Sequence, residues 1–126
     1  MKTILLFLGI VGLTAALFYL PNFKGAAGQY DDFAQCLASK DITMYGADWC
    51  PHCQSEKKAF GDSFQYVPYI ECPDEPKLCT GLGIKGFPTW IFADGRRFEG
   101  ELGLKKLSLE SGCPLPLGGI SRSGTN

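Results

Sequence analysis

Hydrophobic residues fall into three regimes along this chain. From Ile4 to Leu20 they run almost unbroken behind only Met1, Lys2 and Thr3, without the polar face that a surface helix keeps. From Tyr30 onward they form short clusters at helical or strand spacing, and beyond Cys113 the pattern gives way to a stretch rich in Gly, Ser and Pro. The first run, 17 residues long, exceeds a usual signal-peptide core and sits at the short end of what spans a bilayer. An uncleaved membrane anchor over residues 1–20 is the preferred reading, and cleavage near Gly25-Ala26-Ala27 with secretion is the alternative. Either way the remainder is translocated, with Lys2 favouring a cytoplasmic N-terminus. Residues 21–28 read as a linker, 29–113 as the folded domain and 114–126 as a flexible tail.

Within the domain the periodicities alternate. Tyr30, Phe33, Ala34 and Leu37 share one face of a helix begun by Asp31 or Asp32, and Ile42-Thr43-Met44-Tyr45 is a short strand. A helix follows from Cys50 to about Phe60, stopped by Gly61-Asp62, with Gln54, Glu56 and Lys57 expected on a solvated face. Tyr66–Glu71 reads as a second strand and Lys77–Leu82 as a short helix. Thr89–Phe92 is a third strand, and the Asp94-Gly95 signal folds it back antiparallel onto Arg97-Phe98-Glu99. Leu104–Glu110 forms the last helix, Leu104 and Leu107 facing the sheet and Gly112 ending it. This order predicts an α/β sandwich built on a mixed four-stranded sheet flanked by helices.

Composition narrows the function. Hydrophobic residues make up 45% of the 126, enough for one core, and a net charge of −1 without a basic cluster longer than two residues gives no footprint for nucleic acid. Lys57-Lys58, Arg96-Arg97 and Lys105-Lys106 read as solvated faces. No internal repeat or Gly-rich phosphate loop is present, and nothing in the chain implies a cofactor. Six cysteines in so short a chain point to an oxidising compartment.

The chemistry concentrates in Trp49-Cys50-Pro51-His52-Cys53. A Cys-x-x-Cys that follows a strand and opens a helix puts its first sulfur where unpaired N–H groups and the helix dipole favour a thiolate. Cys50 is thus the expected nucleophile, and Cys53, one turn further in, the thiol that resolves a mixed disulfide. Pro51 sits where a missing N–H costs nothing, and His52 can bring positive charge towards the Cys50 sulfur. Both stabilise the reduced form, so the pair leans towards an oxidant. Pro88, in Gly86-Phe87-Pro88-Thr89, precedes a strand; a cis Phe87–Pro88 bond would turn carbonyl and N–H groups towards the sulfurs, ready to pair with an extended substrate. A zinc site drawn from Cys50, Cys53, Cys72 and Cys79 is the competing reading, but six residues separate the second pair where zinc ribbons keep about two to four. Cys72 and Cys79 bracket a turn-rich loop and are read as a structural disulfide, with free thiols or an electron-relaying dithiol as alternatives. For Cys36 and Cys113, free buried thiols are the default and a bridge between them the alternative.

Trp49–Cys53 together with Gly86-Phe87-Pro88-Thr89 resembles the active site of the thioredoxin superfamily, in which the proline is cis and packs on the reactive cysteines. More narrowly, Phe33-Ala34-Gln35-Cys36-Leu37, Met44-Tyr45-Gly46-Ala47, Lys57-Lys58-Ala59-Phe60-Gly61 and Ile84–Trp90 resemble the thioredoxin-like domain that accompanies vitamin K epoxide reductase (VKOR) homologues of cyanobacteria and plants. The resemblance spans about Tyr30 to Cys113 and supports the Cys72–Cys79 pairing. It implies a thioredoxin-like fold and a thiol–disulfide oxidoreductase acting on cysteine-containing proteins. Trp49, Phe87 and Pro88 would dock the substrate, on the periplasmic or thylakoid-lumen side of a membrane. The implied partner is a VKOR-like membrane protein, separate from this chain, that passes oxidising equivalents from a quinone. One departure stands out: Met44 occupies the position where thioredoxins keep a buried acid. Cys53 then lacks that proton acceptor, which disfavours a reductant. A reductant of lumenal or periplasmic disulfides, a copper- or zinc-binding module and a structural adaptor remain the competing functions.

Overall fold

The computed structural model describes residues 28–116. The expected anchor, nearly all of the linker and most of the tail lie outside them. Among the described residues no helix is long and apolar enough to cross a membrane.

Helix α1 (Asp31–Ser39) leads into strand β1 (Thr43–Gly46), and helix α2 (Pro51–Phe60) runs directly into a 3₁₀ segment (Gly61–Tyr66). Strand β2 (Tyr69–Glu71), helix α3 (Pro76–Gly81), the hairpin β3 (Thr89–Ile91) and β4 (Arg97–Glu99), and helix α4 (Gly103–Ser111) follow. The sheet order is β2-β1-β3-β4. Strand β1 lies parallel to β2, with Met44 opposite Tyr69, and antiparallel to β3, with Met44 opposite Trp90. The mixed four-stranded sheet predicted from the periodicities is present. The predicted first and third strands each overrun the observed ones by one residue, because Ile42 and Phe92, though buried, lie outside the ladder.

Each element forms for a local reason. In α1 the predicted face is inside, with Phe33, Ala34 and Leu37 fully buried. Helix α2 begins at Cys50 as N-cap with Pro51 at its first position, and ends where Gly61 takes φ +57°. The hairpin closes through Gly95 at φ +87°, and Asp94 accepts the Arg96 N–H at 3.0 Å. Gly112, left-handed at φ +68°, ends α4 as expected.

The core gathers around Phe60. Its ring stacks on Phe33 at 5.7 Å between centroids and meets Phe64 at 5.9 Å and Trp90 at 6.3 Å. One aromatic therefore ties α1, α2, the 3₁₀ segment and β3 together, and its truncation to alanine would remove about 3–5 kcal/mol. Leu107 of α4 is fully buried, while Leu104 packs against the core at its margin.

Two expectations are corrected. The strand expected over Tyr66–Glu71 begins only at Tyr69: residues 61–66 wind as 3₁₀ so that Phe64 reaches Phe60, and Pro68, without an N–H, offers only its carbonyl to the Met44 N–H at 2.9 Å. Glu56 is not on a solvated face. It is 2% exposed and accepts the backbone N–H groups of Leu102 and Gly103, each at 3.0 Å, serving the unpaired donors that open α4. Arg96 is exposed, as expected, and within that surface it pairs with Asp94 at 2.7 Å and with Glu110 of α4 at 3.1 Å, its guanidinium 4.8 Å from the Phe92 ring centre.

Candidate functional site

Strand β1 delivers the chain to a tight turn, with the Cys50 N–H donating to the Ala47 carbonyl at 3.0 Å, and α2 starts at once. That sequence of strand, turn and helix N-terminus sets Cys50 and Cys53 one helical turn apart. Both are free thiols; Cys50 is 5% exposed and Cys53 fully buried. The Cys50 thiol donates towards the Phe87 carbonyl at a sulfur–oxygen distance of 3.6 Å. The Phe87–Pro88 peptide is cis, so residues far apart in sequence meet at the first sulfur. Thr89 anchors that loop by donating its hydroxyl to the Gly86 carbonyl at 2.8 Å.

Trp49 stands beside these groups, 69% exposed, its ring edge-on to Phe87 at 6.0 Å. An exposed indole against a second aromatic is an apolar platform at the mouth of the site. His52 is also exposed, and its Nδ1 lies 3.5 Å from a Glu101 carboxylate oxygen. Glu101, on the segment that precedes α4, is thus a neighbour of His52 that no local pattern announced.

Burial pushes the Cys53 thiol up to about 11. The Ala47 N–H and the Lys57 charge pull the other way, and the neighbouring Cys50 adds to the rise. Met44, the residue at the acid's usual position, is fully buried in the core. Beneath Cys53 the polar groups come instead from β2 and from the next turn of α2 on the same face. Lys57 pairs with Asp48 at 2.6 Å and lies 3.9 Å from the Tyr69 ring centre. The Tyr69 hydroxyl donates to Glu71, whose other carboxylate oxygen accepts the Asp48 N–H at 2.9 Å. The Lys57 hydrogen bond and charge hold the Asp48 carboxyl below its ordinary range. Gln54, also expected to be solvated, donates to the Asp48 carbonyl at 2.7 Å. This cluster was missed in the sequence because its members lie on different elements.

The remaining four cysteines are paired. Cys72 joins Cys79 with Cα atoms 5.7 Å apart, and Cys36 joins Cys113 at 5.8 Å. The second bond replaces the free buried thiols taken as the default: α1 and the end of α4, 77 residues apart in sequence, bring their termini together at the base of the domain. The first takes Cys72 and Cys79 out of the four-cysteine metal set. Among the described residues no group of three or more His, Cys, Asp or Glu side chains is arranged to hold a metal ion.

No protein-family model matches the chain. Over 91 residues, 65% of its length, it is 38% identical to the thiol-disulfide oxidoreductase LTO1 of Arabidopsis thaliana, and it spans about a quarter (24%) of that protein. Among solved structures it is similar to chloroplastic thioredoxin z, with a TM-score of 0.50 and 25% identity, covering 61% of this chain and 81% of that one. The mixed sheet with its helices is a thioredoxin-like α/β fold.

Proposed function

We propose that this domain is a thiol–disulfide oxidoreductase that forms disulfides in cysteine-containing proteins, with Cys50 as the nucleophile and Cys53 as the resolving thiol. The observation that carries the reading is the meeting at Cys50: a nearly buried sulfur at a helix N-cap, facing the Phe87 carbonyl at 3.6 Å, with a second free thiol one turn behind it. The likeness to LTO1, an enzyme named for this chemistry, supports it.

In the oxidising direction the pair starts as a Cys50–Cys53 disulfide. A substrate thiolate attacks the Cys50 sulfur, the Cys50–Cys53 bond breaks, and Cys53 leaves and takes up a proton. A second substrate thiolate then attacks the substrate sulfur of the mixed disulfide and releases Cys50. The substrate loses two electrons and the domain gains them. Trp49, Phe87 and Pro88 form the docking rim, while Pro51 and His52 tune the potential, with Glu101 moderating the His52 charge. Reoxidation would fall to a VKOR-like, quinone-linked membrane protein. The sequence resemblance supports that partner, and the apolar run at 4–20 supports a tether that holds the domain on the lumenal or periplasmic side. Two disulfides outside the reactive pair fit an oxidising compartment.

The test is direct. The oxidised domain, added to reduced, unfolded ribonuclease, should introduce disulfides stoichiometrically; Cys53→Ala, whose Cys50 thiolate attacks a disulfide of scrambled ribonuclease and displaces its other sulfur, should accumulate a mixed disulfide on Cys50, and Cys50→Ser should do neither. The reverse direction draws on the likeness to thioredoxin z. A potential close to thioredoxin's, about −270 mV, together with failure to oxidise ribonuclease, would establish that direction instead.

A further inference from the structure

Resolution and its reverse both require Cys53 to exchange a proton, yet its sulfur is fully buried and the residue opposite Tyr69 on β1 is Met44, which cannot accept one. Gly46 reveals what lies next to it. A Cβ at that position would stand 2.8 Å from the Cys53 sulfur, 3.2 Å from Tyr69 Cε2 and 3.3 Å from the Tyr69 hydroxyl. The sulfur and the hydroxyl oxygen therefore lie no more than about 6 Å apart across the face of Gly46, a span that one bridging water closes and that any side chain at Gly46 would crowd. The hydroxyl already donates to Glu71, and Glu71 is part-exposed, held in place by the Asp48 N–H.

We propose that Tyr69 and Glu71 relay the Cys53 proton between the buried sulfur and solvent, taking the place of the carboxylate that Met44 displaces. The inference rests on the Cys50–Cys53 assignment above. When Cys53 attacks a mixed disulfide on Cys50, its S–H proton passes to the Tyr69 oxygen as the Tyr69 proton passes to the Glu71 carboxylate. The Cys50–Cys53 bond forms, the bond from Cys50 to the substrate breaks, and the substrate departs as a thiolate. In the oxidising direction the same path runs backwards and returns a proton to Cys53 as it leaves.

The surrounding charges suit this task. Facing Cys53 are Cys50, Lys57 and Tyr69; facing Tyr69 are Glu71, Asp48, Cys53 and the Lys57 ammonium over its ring. Burial, and then the bond to Glu71, raise the Tyr69 pKa, so the phenol stays protonated and acts as a conduit, never as a store of charge. Lys57 carries only donors and is tied to Asp48; its positive charge favours the Cys53 thiolate. Glu56, the other buried acid, is occupied by the Leu102 and Gly103 N–H groups.

The experiment uses the reduced protein and 5,5′-dithiobis(2-nitrobenzoate). Cys50 attack releases one nitrothiobenzoate, and Cys53 attack on the resulting mixed disulfide releases a second, independent of protein concentration. With the relay, the second phase in the wild type reaches its plateau well below pH 11. In Tyr69→Phe and Glu71→Gln it falls about a hundredfold at pH 7, the scale of a lost general base, and recovers as the pH approaches 10. The first phase, which needs no proton from Cys53, sets the internal reference. A second phase with the same rate and profile in both variants, or one lowered equally at every pH, overturns the relay. So does a wild-type second phase that rises log-linearly with pH up to about 11, a result that depends on no variant's folding. Failure of the underlying assignment looks different: the wild type would release no second nitrothiobenzoate, or Cys50→Ala would still show the first phase.

Discussion

Replacing Glu56 by alanine tests whether a buried carboxylate holds the last helix in place. Its two oxygens take the Leu102 and Gly103 N–H groups at 3.0 Å each, 46 and 47 residues away along the chain. A hydrogen bond to a charged group is worth about 1.5–3 kcal/mol net, so two give a gross contribution of several kcal/mol. Against this, burial penalises the ionised carboxyl enough to raise its pKa above 4.5, with the neighbouring Glu101 adding to the rise. The balance for Glu56→Ala is a loss of about 2 kcal/mol. In a domain of this size that lowers Tm by about 10 °C.

Urea titration of the reduced protein measures it, with the transition midpoint falling at constant slope. Glu56→Gln, which keeps one acceptor but turns an NH₂ towards the other N–H, should lose about half as much. Its comparison with the wild type also fixes a sign. The folded pKa of Glu56 lies above the unfolded value, so its contribution is fully present below about pH 4.5 and declines as pH rises through the folded pKa. The wild type should therefore gain on Glu56→Gln as the solution is acidified through that window. A loss below about 0.5 kcal/mol for the alanine variant, within the range of ordinary surface substitutions, or a wild type that loses ground to glutamine on acidification, would refute the reasoning.

Three further outcomes follow from the same geometry. Burial raises the Cys53 pKa from 9.0 to about 11, so the reduced protein should hold its stability below pH 9 and lose it as pH rises towards 11; in pH-dependent urea melts Cys53→Ala should flatten the slope between pH 9 and 10, below the range where the raised Tyr69 adds its own. Removing the Cys36–Cys113 bond by a double serine substitution should cost about 4 kcal/mol and removing Cys72–Cys79 about 2, because the loops they close are 77 and 7 residues long; equal midpoints in urea for the two variants would count against the loop-entropy account. Trp49→Ala should leave Tm within about 2 °C, since 69% of the side chain is already in water, while raising KM for a reduced protein substrate in a turnover assay; an unchanged KM would remove Trp49 from the docking rim.

What could be read in the sequence was local. The strand before Cys50, the proline at the first helical position, Gly61, Asp94-Gly95 and Gly112 each impose a conformation through neighbours a few residues away, and the elements they bound appear within a residue or so of where the pattern placed them. The failures share a different cause. Glu56 sits at a helical position that periodicity assigns to water, and only the arrival of residues 102 and 103 gives its carboxylate a reason to be buried. Tyr66 counts towards a strand until the packing of Phe64 on Phe60 winds residues 61–66 as 3₁₀. Cys36 and Cys113 carry no local sign of pairing, because their proximity is a property of two helix ends meeting across the whole domain.

The same distinction separates the two reactive sulfurs. Everything needed to place Cys50 at a helix N-terminus is written within a few residues of it, but the environment of Cys53 is assembled from three elements: Gly46 on β1, Lys57 on α2, Tyr69 and Glu71 on β2. Met44 explains why they gather. With an apolar side chain filling the core beneath the resolving thiol, the proton-accepting groups near that sulfur come from the adjacent strand, and Tyr69 is the residue β2 pairs with Met44. An aromatic ring at that register needs room above β1, which a glycine two residues after Met44 supplies, on the same face of the strand. The absence of the acid and the presence of Gly46, Tyr69 and Glu71 thus form one coupled arrangement: restoring a carboxylate at Met44 would bury a second charge beside Glu71, and enlarging Gly46 would drive a methyl group into the Cys53 sulfur.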